Sequence, residues 1–136
     1  MNGERNLGIL LKTMSARLAD GVYVFATQPD DQVPAHLQPR MLFREAEGTT
    51  LILLRSEAVA ASLDHEFPCR MITLEIHSSL DAVGFIARIA SELAARGMSV
   101  NPVAGFHHDH LFVPDGREDE ALEILRQLAA EAAQGH

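Results

Sequence analysis

The stretch "NPVAGFHHDH", residues 101–110, sets three of the chain's seven histidines and an aspartate behind a glycine. Imidazoles and carboxylates hold divalent cations, move protons, or meet the polar head of a small ligand. If the segment is extended, His108 and His110 share one face, while His107 and Asp109 share the other. Two histidines on one face can ligate a metal, with Glu75 or His77 from a neighbouring strand completing the set. The spacing matches no established ligand pattern, however. The same residues lie where one strand must turn into the next, and Asp109 suits a turn because it can accept a backbone N–H. A metal site, a wall of a ligand pocket and a plain hairpin all remain open for these four residues. No resident metal or cofactor is expected.

Composition narrows the classes. The chain has 136 residues, is 47% apolar and 22% charged, and carries a net charge of −8. It is long enough to bury a core without a covalent staple. Cys69 is the only cysteine, which excludes an internal disulfide and a multi-cysteine zinc site and suits a reducing compartment. Eleven basic residues are scattered, Lys12 being the only lysine. Nucleic-acid binding needs a basic footprint, so it is not expected. No signal peptide and no run of apolar residues long enough for a membrane span stand out, so the expected location is the cytoplasm. No glycine-rich phosphate loop or recognisable nucleophile–base spacing points to an enzyme.

The elements that must position these residues fall into two halves, 1–66 and 67–136, divided where Pro68 and charges interrupt the apolar pattern of "DHEFPCR". In the first half, "LGILLKTM" (7–14) reads as a strand, "ARLAD" as a brief helical turn capped by Ser15, and "VYVFAT" as a strand. A proline-rich loop follows over 28–39. Residues 40–57 read as a hairpin turning at "EAEGTT", with Gly48 supplying the backbone angles, and Ser56 begins a short helix.

In the second half, "MITLEIH" (71–77) alternates as a strand with Ile72, Leu74 and Ile76 on its apolar face. Ser78 and Asp81 predict a capping box for a helix over 80–96 that Gly97 closes. Pro102 makes 98–105 an edge or bulged strand, and "HLFVP" (110–114) is the next strand. Asp115 and Glu118 predict a second capping box before a last helix with Leu122, Leu125, Leu128 and Ala129 inward. Its acidic residues, Glu118, Asp119, Glu120, Glu123 and Glu131, read as a solvated face. The order β-α-β-β-α is a split βαβ unit short of one strand, which must be borrowed from the first half.

"ITLEIHSSLDAVGFIARIASELAARGMSVNPVAGFHHDHLFV" resembles the ACT domain, and "FREAEGTTLIL" resembles the hairpin of a first ACT-like repeat. The resemblance covers nearly the whole chain and is closest to small bacterial tandem-ACT proteins without an enzyme domain. It implies an α+β fold of ferredoxin-like βαββαβ units in tandem, with antiparallel sheets, helices on one face and a strand shared between units. It also implies a small ligand held where the first strand of a unit turns into its helix. Here that place is Ser78, Ser79, Leu80, Asp81, Ala82, Val83 and Gly84, with free N–H groups for a carboxylate. Asn101 matches the position where aspartate kinase ACT units place an asparagine beside their ligand. Pro102, Val103 and Gly105 offer strand-edge backbone, and His107 and His108 form one wall of the pocket.

The expected function is therefore regulatory: a cytoplasmic sensor of a free amino acid, not an enzyme, acting as a homodimer. The competing readings are a protein–protein interaction module without a ligand and a metal-dependent enzyme built on His107, His108, Asp109 and His110.

Overall fold

The structure is a computed structural model that describes residues 3–135. Two compact units emerge, one of residues 3–19 and 70–135, the other of residues 20–69. Both are α+β, and each strand pair for which a register is given runs antiparallel, as the fold class required.

The first unit opens with α1 (Leu7–Thr13) and β1 (Ala16–Leu18), followed from Arg70 by the second half of β5 (His65–Leu74), α3 (Phe85–Ala95), β6 (Asn101–Ala104), β7 (Asp109–Pro114) and α4 (Glu118–Gln134). β1 pairs with β5 in the register Ala16↔Leu74, Arg17↔Thr73 and Leu18↔Ile72. β5 neighbours β7, and β7 neighbours β6 at the edge. The order β1-β5-β7-β6 is that of a ferredoxin-like sheet whose fourth strand arrives from earlier in the chain. This is the borrowed strand that the β-α-β-β-α order demanded.

Two early elements exchange identities relative to the sequence reading. Residues 7–13 form a helix, not a strand. Asn6 caps it by accepting from the Ile9 N–H at 3.0 Å. Leu7, Leu10, Leu11 and Met14 recur at helical spacing, and all four join the core of this unit. The apolar run concealed that period. "ARL", expected as a helical turn, is instead β1.

Both predicted capping boxes also fail. α3 begins at Phe85, five residues late, because Gly84 sits at φ +91°, a left-handed conformation that no α-helix continues through. The buried stripe of α3 is Phe85, Ile89 and Leu93, while Leu80 and Val83, expected on the helix face, stand 68% and 85% exposed. The C-terminal stop is as expected: Gly97 is left-handed, its N–H reaches Ala94 O, and the Met98 N–H reaches Leu93 O, a Schellman closure. α4 begins at Glu118 with Arg117 in the capping position and no side-chain cap. Glu118 leaves the solvated face to meet Arg70 at 2.9 Å.

The second unit holds β2 (Tyr23–Gln28), β3 (Met41–Glu45), β4 (Gly48–Leu54), α2 (Arg55–Ala60) and β5 up to Cys69. Its strands lie in the order β3-β4-β2-β5, again ferredoxin-like, with the proline-rich loop and a 3₁₀ turn at Asp30–Gln32 where a first helix would stand. The hairpin turns where expected, with Gly48 at φ +149°. A Cβ there would lie 2.9 Å from Gln28 O. Val24, Ala26, Leu51 and Leu53 from the sheet pack with Leu37, Ala58 and Leu63 as a separate core. Cys69 is fully buried in this unit, its Sγ 3.3 Å from Tyr23 O.

Candidate ligand-binding site

β5 ends at Leu74, and the chain then crosses to α3 through residues 75–84. This connection is pinned from two sides. The Glu4 N–H donates to His77 O and the Ser79 N–H to Glu4 O, both at 2.9 Å, so the segment before α1 runs as a short parallel bridge beside it. From the other side, Ser78 Oγ donates to Asp109 Oδ2 at 2.9 Å. Ser78 thus donates to a strand, and no side chain caps the helix, which begins only at Phe85.

Between the connection, the start of α3 and the ends of β6 and β7 lies a recess of about 180 Å³. Ser78, Ser79, Leu80, Ala82 and Gly84 line it from the connection, Phe85, Ile86 and Ala87 from the helix, and Ala104 and Asp109 from the strands. The first intrahelical bond of α3 is Arg88 N–H to Gly84 O, and no side chain caps the end. The N–H groups of residues 85–87 therefore have no partner within the helix and form the positive end of its dipole. Asp109, only 7% exposed, supplies a carboxylate to the same recess. One wall favours a negative group and another a positive one.

Eight of the twelve site residues named from the sequence fall outside this lining. Asp81 faces a second recess with Gly3, Arg5, His77 and Phe106, 3.1 Å from the Arg5 guanidinium. A hydrogen bond from Ser79, aided by the charge of Arg5, holds its carboxyl below the usual range. Val83 projects into solvent and is not part of the lining. Asn101 and Pro102 are exposed on β6, opposite Phe112 and Leu111. Asn101 lies three residues, about 10 Å of extended chain, from Ala104, the β6 residue that does line the recess. Val103 lies beside it, outside the lining.

Gly105, His107 and His108 build the turn between β6 and β7. The Gly105 N–H donates to His108 O at 2.9 Å, and a Cβ on Gly105 would lie 2.9 Å from that oxygen. His107 stacks loosely among His77, Phe106 and His108, with ring centroids 5.9, 5.2 and 6.5 Å away. His110 turns to Thr73, Nδ1 to Oγ1 3.0 Å. Glu75 pairs with Arg17 at 3.0 Å. Among the described residues, no group of three or more histidine, cysteine, aspartate or glutamate side chains is arranged to hold a metal ion.

Sequence reasoning treated Asp109 as a turn residue and missed it as part of the lining. The signal was present: Asp109 has the parity of Leu111 and Val113, both fully buried in the core of this unit. The lining by Phe85, Ile86 and Ala87 was missed because the helix was started too early.

Models of the ACT domain match residues 2–70 and residues 66–127. No curated protein matches the chain. Among solved structures, a protein of unknown function from Vibrio cholerae, described as a possible transport protein, is 39% identical over 90% of this chain and 95% of its own, with a TM-score of 0.80. A protein from Agrobacterium tumefaciens superposes with a TM-score of 0.72 at 16% identity, covering 85% of this chain and 89% of that one. The ligand-free regulatory subunit of aspartate kinase from Thermus thermophilus gives 0.61 at 10% identity, over 87% and 97%. These last two likenesses concern the fold alone.

Proposed function

The chain belongs to the ACT-domain family, and on that premise we propose that it is a non-catalytic regulatory protein that binds a free amino acid in the recess between Ser78 and Asp109. One observation carries the reading: the uncapped N-terminal end of α3 and the buried carboxylate of Asp109 line the same recess. A zwitterion has one charge for each. Its carboxylate meets the N–H groups of residues 85–87, and its ammonium meets Asp109. The sequence reading assigned these two jobs to residues 79–84 and to Asn101; the recess supports the new assignment better, because Asn101 is not among its walls.

Signalling follows from where the site stands. Leu80 lines the recess and is largely exposed, as are Val83, three residues on, and Phe106, which shares the second recess with Leu80, so an apolar surface adjoins the ligand. We read this surface as the contact of a homodimer that ligand binding strengthens or weakens. Among the described residues, no helix is long and apolar enough to cross a membrane. The reading places the protein in the cytoplasm, where free amino acids are pooled.

Thermal-shift screening against the twenty amino acids and a series of divalent metals tests the proposal. A ligand at 100 times its Kd adds about 2.7 kcal/mol of stability. A shift with at least one amino acid, absent in Asp109→Asn, is the expected result. A shift with a metal alone overturns the reading in favour of metal chemistry. No shift at all leaves the exposed Leu80 and Val83 as a surface for a partner protein.

A further inference from the structure

Resting on that amino-acid reading, we infer that residues 3–7 form a strap that sets the shape of the recess and is in turn tightened by its occupant, with Arg5 as the positioning residue.

The strap follows the connection before α3 along its length. Gly3 lies flat against it: a Cβ there would meet the carbonyl carbon of Ser78 at 2.6 Å and His77 O at 2.8 Å. Glu4 makes the parallel bridge, giving its N–H to His77 O and accepting that of Ser79. The Arg5 guanidinium stands 3.1 Å from Asp81. Leu7 reaches the far end, where a Cβ on Gly84 would lie 3.5 Å from its Cδ2.

The connection has little else to hold it. Among the described residues, the backbone of residues 77–83 bonds to the backbone of another element only at Glu4. Its internal closure is a turn in which the Ala82 N–H donates to Ser79 O at 3.0 Å. Asp81 sits within that turn and accepts from Ser79 Oγ, so Arg5 grips the turn through its acid. Ser79, Leu80 and Ala82, from the same turn, line the recess. Backbone with so few partners of its own opens easily and takes its shape from its neighbour.

The other end of the strap is fixed. The Glu4 carboxylate accepts the N–H groups of Arg5 and Asn6, both at 3.0 Å. Asn6 caps α1, which Leu10 and Leu11 anchor in the core. An occupant that favours the closed turn therefore tightens the strap by the same factor that the strap raises its affinity.

Amide exchange and titration calorimetry on the full chain test this, with each of the twenty amino acids as probe in turn. Arg5 and Asp81 are 62% and 63% exposed, and a surface pair shifts an equilibrium by up to about fivefold. Without any amino acid, the Ser79 and Ala82 amides of Arg5→Ala should exchange about two- to fivefold faster than in wild type, while those of α4 keep their rates. An amino acid that binds wild type should bind Arg5→Ala more weakly by a similar factor, and Arg5→Lys should restore both properties. In wild type the same amino acid should slow exchange at the Glu4 amide, which a purely structural segment would not show. If Ser79 and Ala82 exchange alike in wild type, Arg5→Ala and Gly3→Ala, the strap is overturned and the site is untouched. If exchange quickens but the amino acid binds all three equally well, the coupling is overturned and the site stands. If no amino acid binds wild type, the site reading falls and the coupling falls with it.

Discussion

Ser78 and Asp109 are 31 residues apart in the chain and 2.9 Å apart in space, the serine hydroxyl donating to the carboxylate. The bond ties the connection before α3 to the first residue of β7, and it holds the acid that the ligand reading depends on. Ser78→Ala removes that donor from a buried carboxylate and should cost about 1–3 kcal/mol in urea unfolding. The double variant Ser78→Ala with Asp109→Ala should cost less than the sum of the single changes. Strict additivity would show that the two side chains do not interact.

The helical identity of residues 7–13 has its own test. Leu10 is fully buried, while Ile9 is one of the exposed apolar residues. Leu10→Ala should destabilise by about 2–5 kcal/mol and Ile9→Ala by less than about 1 kcal/mol. Asn6→Ala should cost about 1 kcal/mol through the lost cap. A strand at 7–14 would instead be indifferent to Asn6.

Gly3 lies against backbone. A Cβ there would sit 2.6 Å from the carbonyl carbon of Ser78 and 2.7 Å from the nitrogen of Ser79. Gly3→Ala should displace the segment that bridges to residues 77–79, at a cost of about 1–3 kcal/mol. The sharper readout is hydrogen exchange at the Ser79 amide, which donates to Glu4 O. Its exchange should speed up in the variant, while amides within α4 keep their protection.

Arg70 and Glu118 form a salt bridge at 2.9 Å with side chains only 19% and 17% exposed. Glu118 titrates below the ordinary value of 4.5, chiefly through its own backbone N–H, with the Gly116 N–H and the Arg70 charge adding to it. A carboxyl whose pKa is lowered by folding stabilises the protein above its unfolded value, and that contribution is lost as pH falls through the folded value. Wild type should therefore exceed Glu118→Gln in Tm at pH 7, and the gap should close as pH is lowered below 4.5. A gap that stays unchanged as pH is lowered would show that the charge of Glu118 contributes nothing. Arg70→Met should cost about 1–3 kcal/mol at pH 7.

Much of the fold was legible from local pattern. The hairpin at Gly48, the edge strand marked by Pro102, the stop at Gly97 and the apolar face of α4 all follow from side-chain period and backbone chemistry, which a sequence displays directly. The strand expected over 71–77 instead runs from His65 to Leu74, through the supposed break at "DHEFPCR", and Met71, Ile72, Thr73 and Leu74 are all buried rather than alternating. Glycine, proline and alternating apolar residues act on their own neighbours, so their consequences can be read without knowing the rest of the molecule. Even the missing strand was implied, because a β-α-β-β-α order leaves a sheet edge that something must occupy.

Tertiary structure decided what depends on partners distant in sequence. Ser78 gives its hydroxyl proton to Asp109, a partner 31 residues on that no local pattern names, while the left-handed turn at Gly84 sets where α3 begins. Leu7, Leu10, Leu11 and Met14 fit a helix once a core lies against one face, yet as an unbroken apolar run they also fit a strand. Asp109 is an ordinary turn aspartate by type and a buried carboxylate by position. Local preferences of this kind differ by about 1 kcal/mol per residue or less, whereas burying a large apolar side chain is worth about 1.5–3 kcal/mol. Where the two disagreed, burial won.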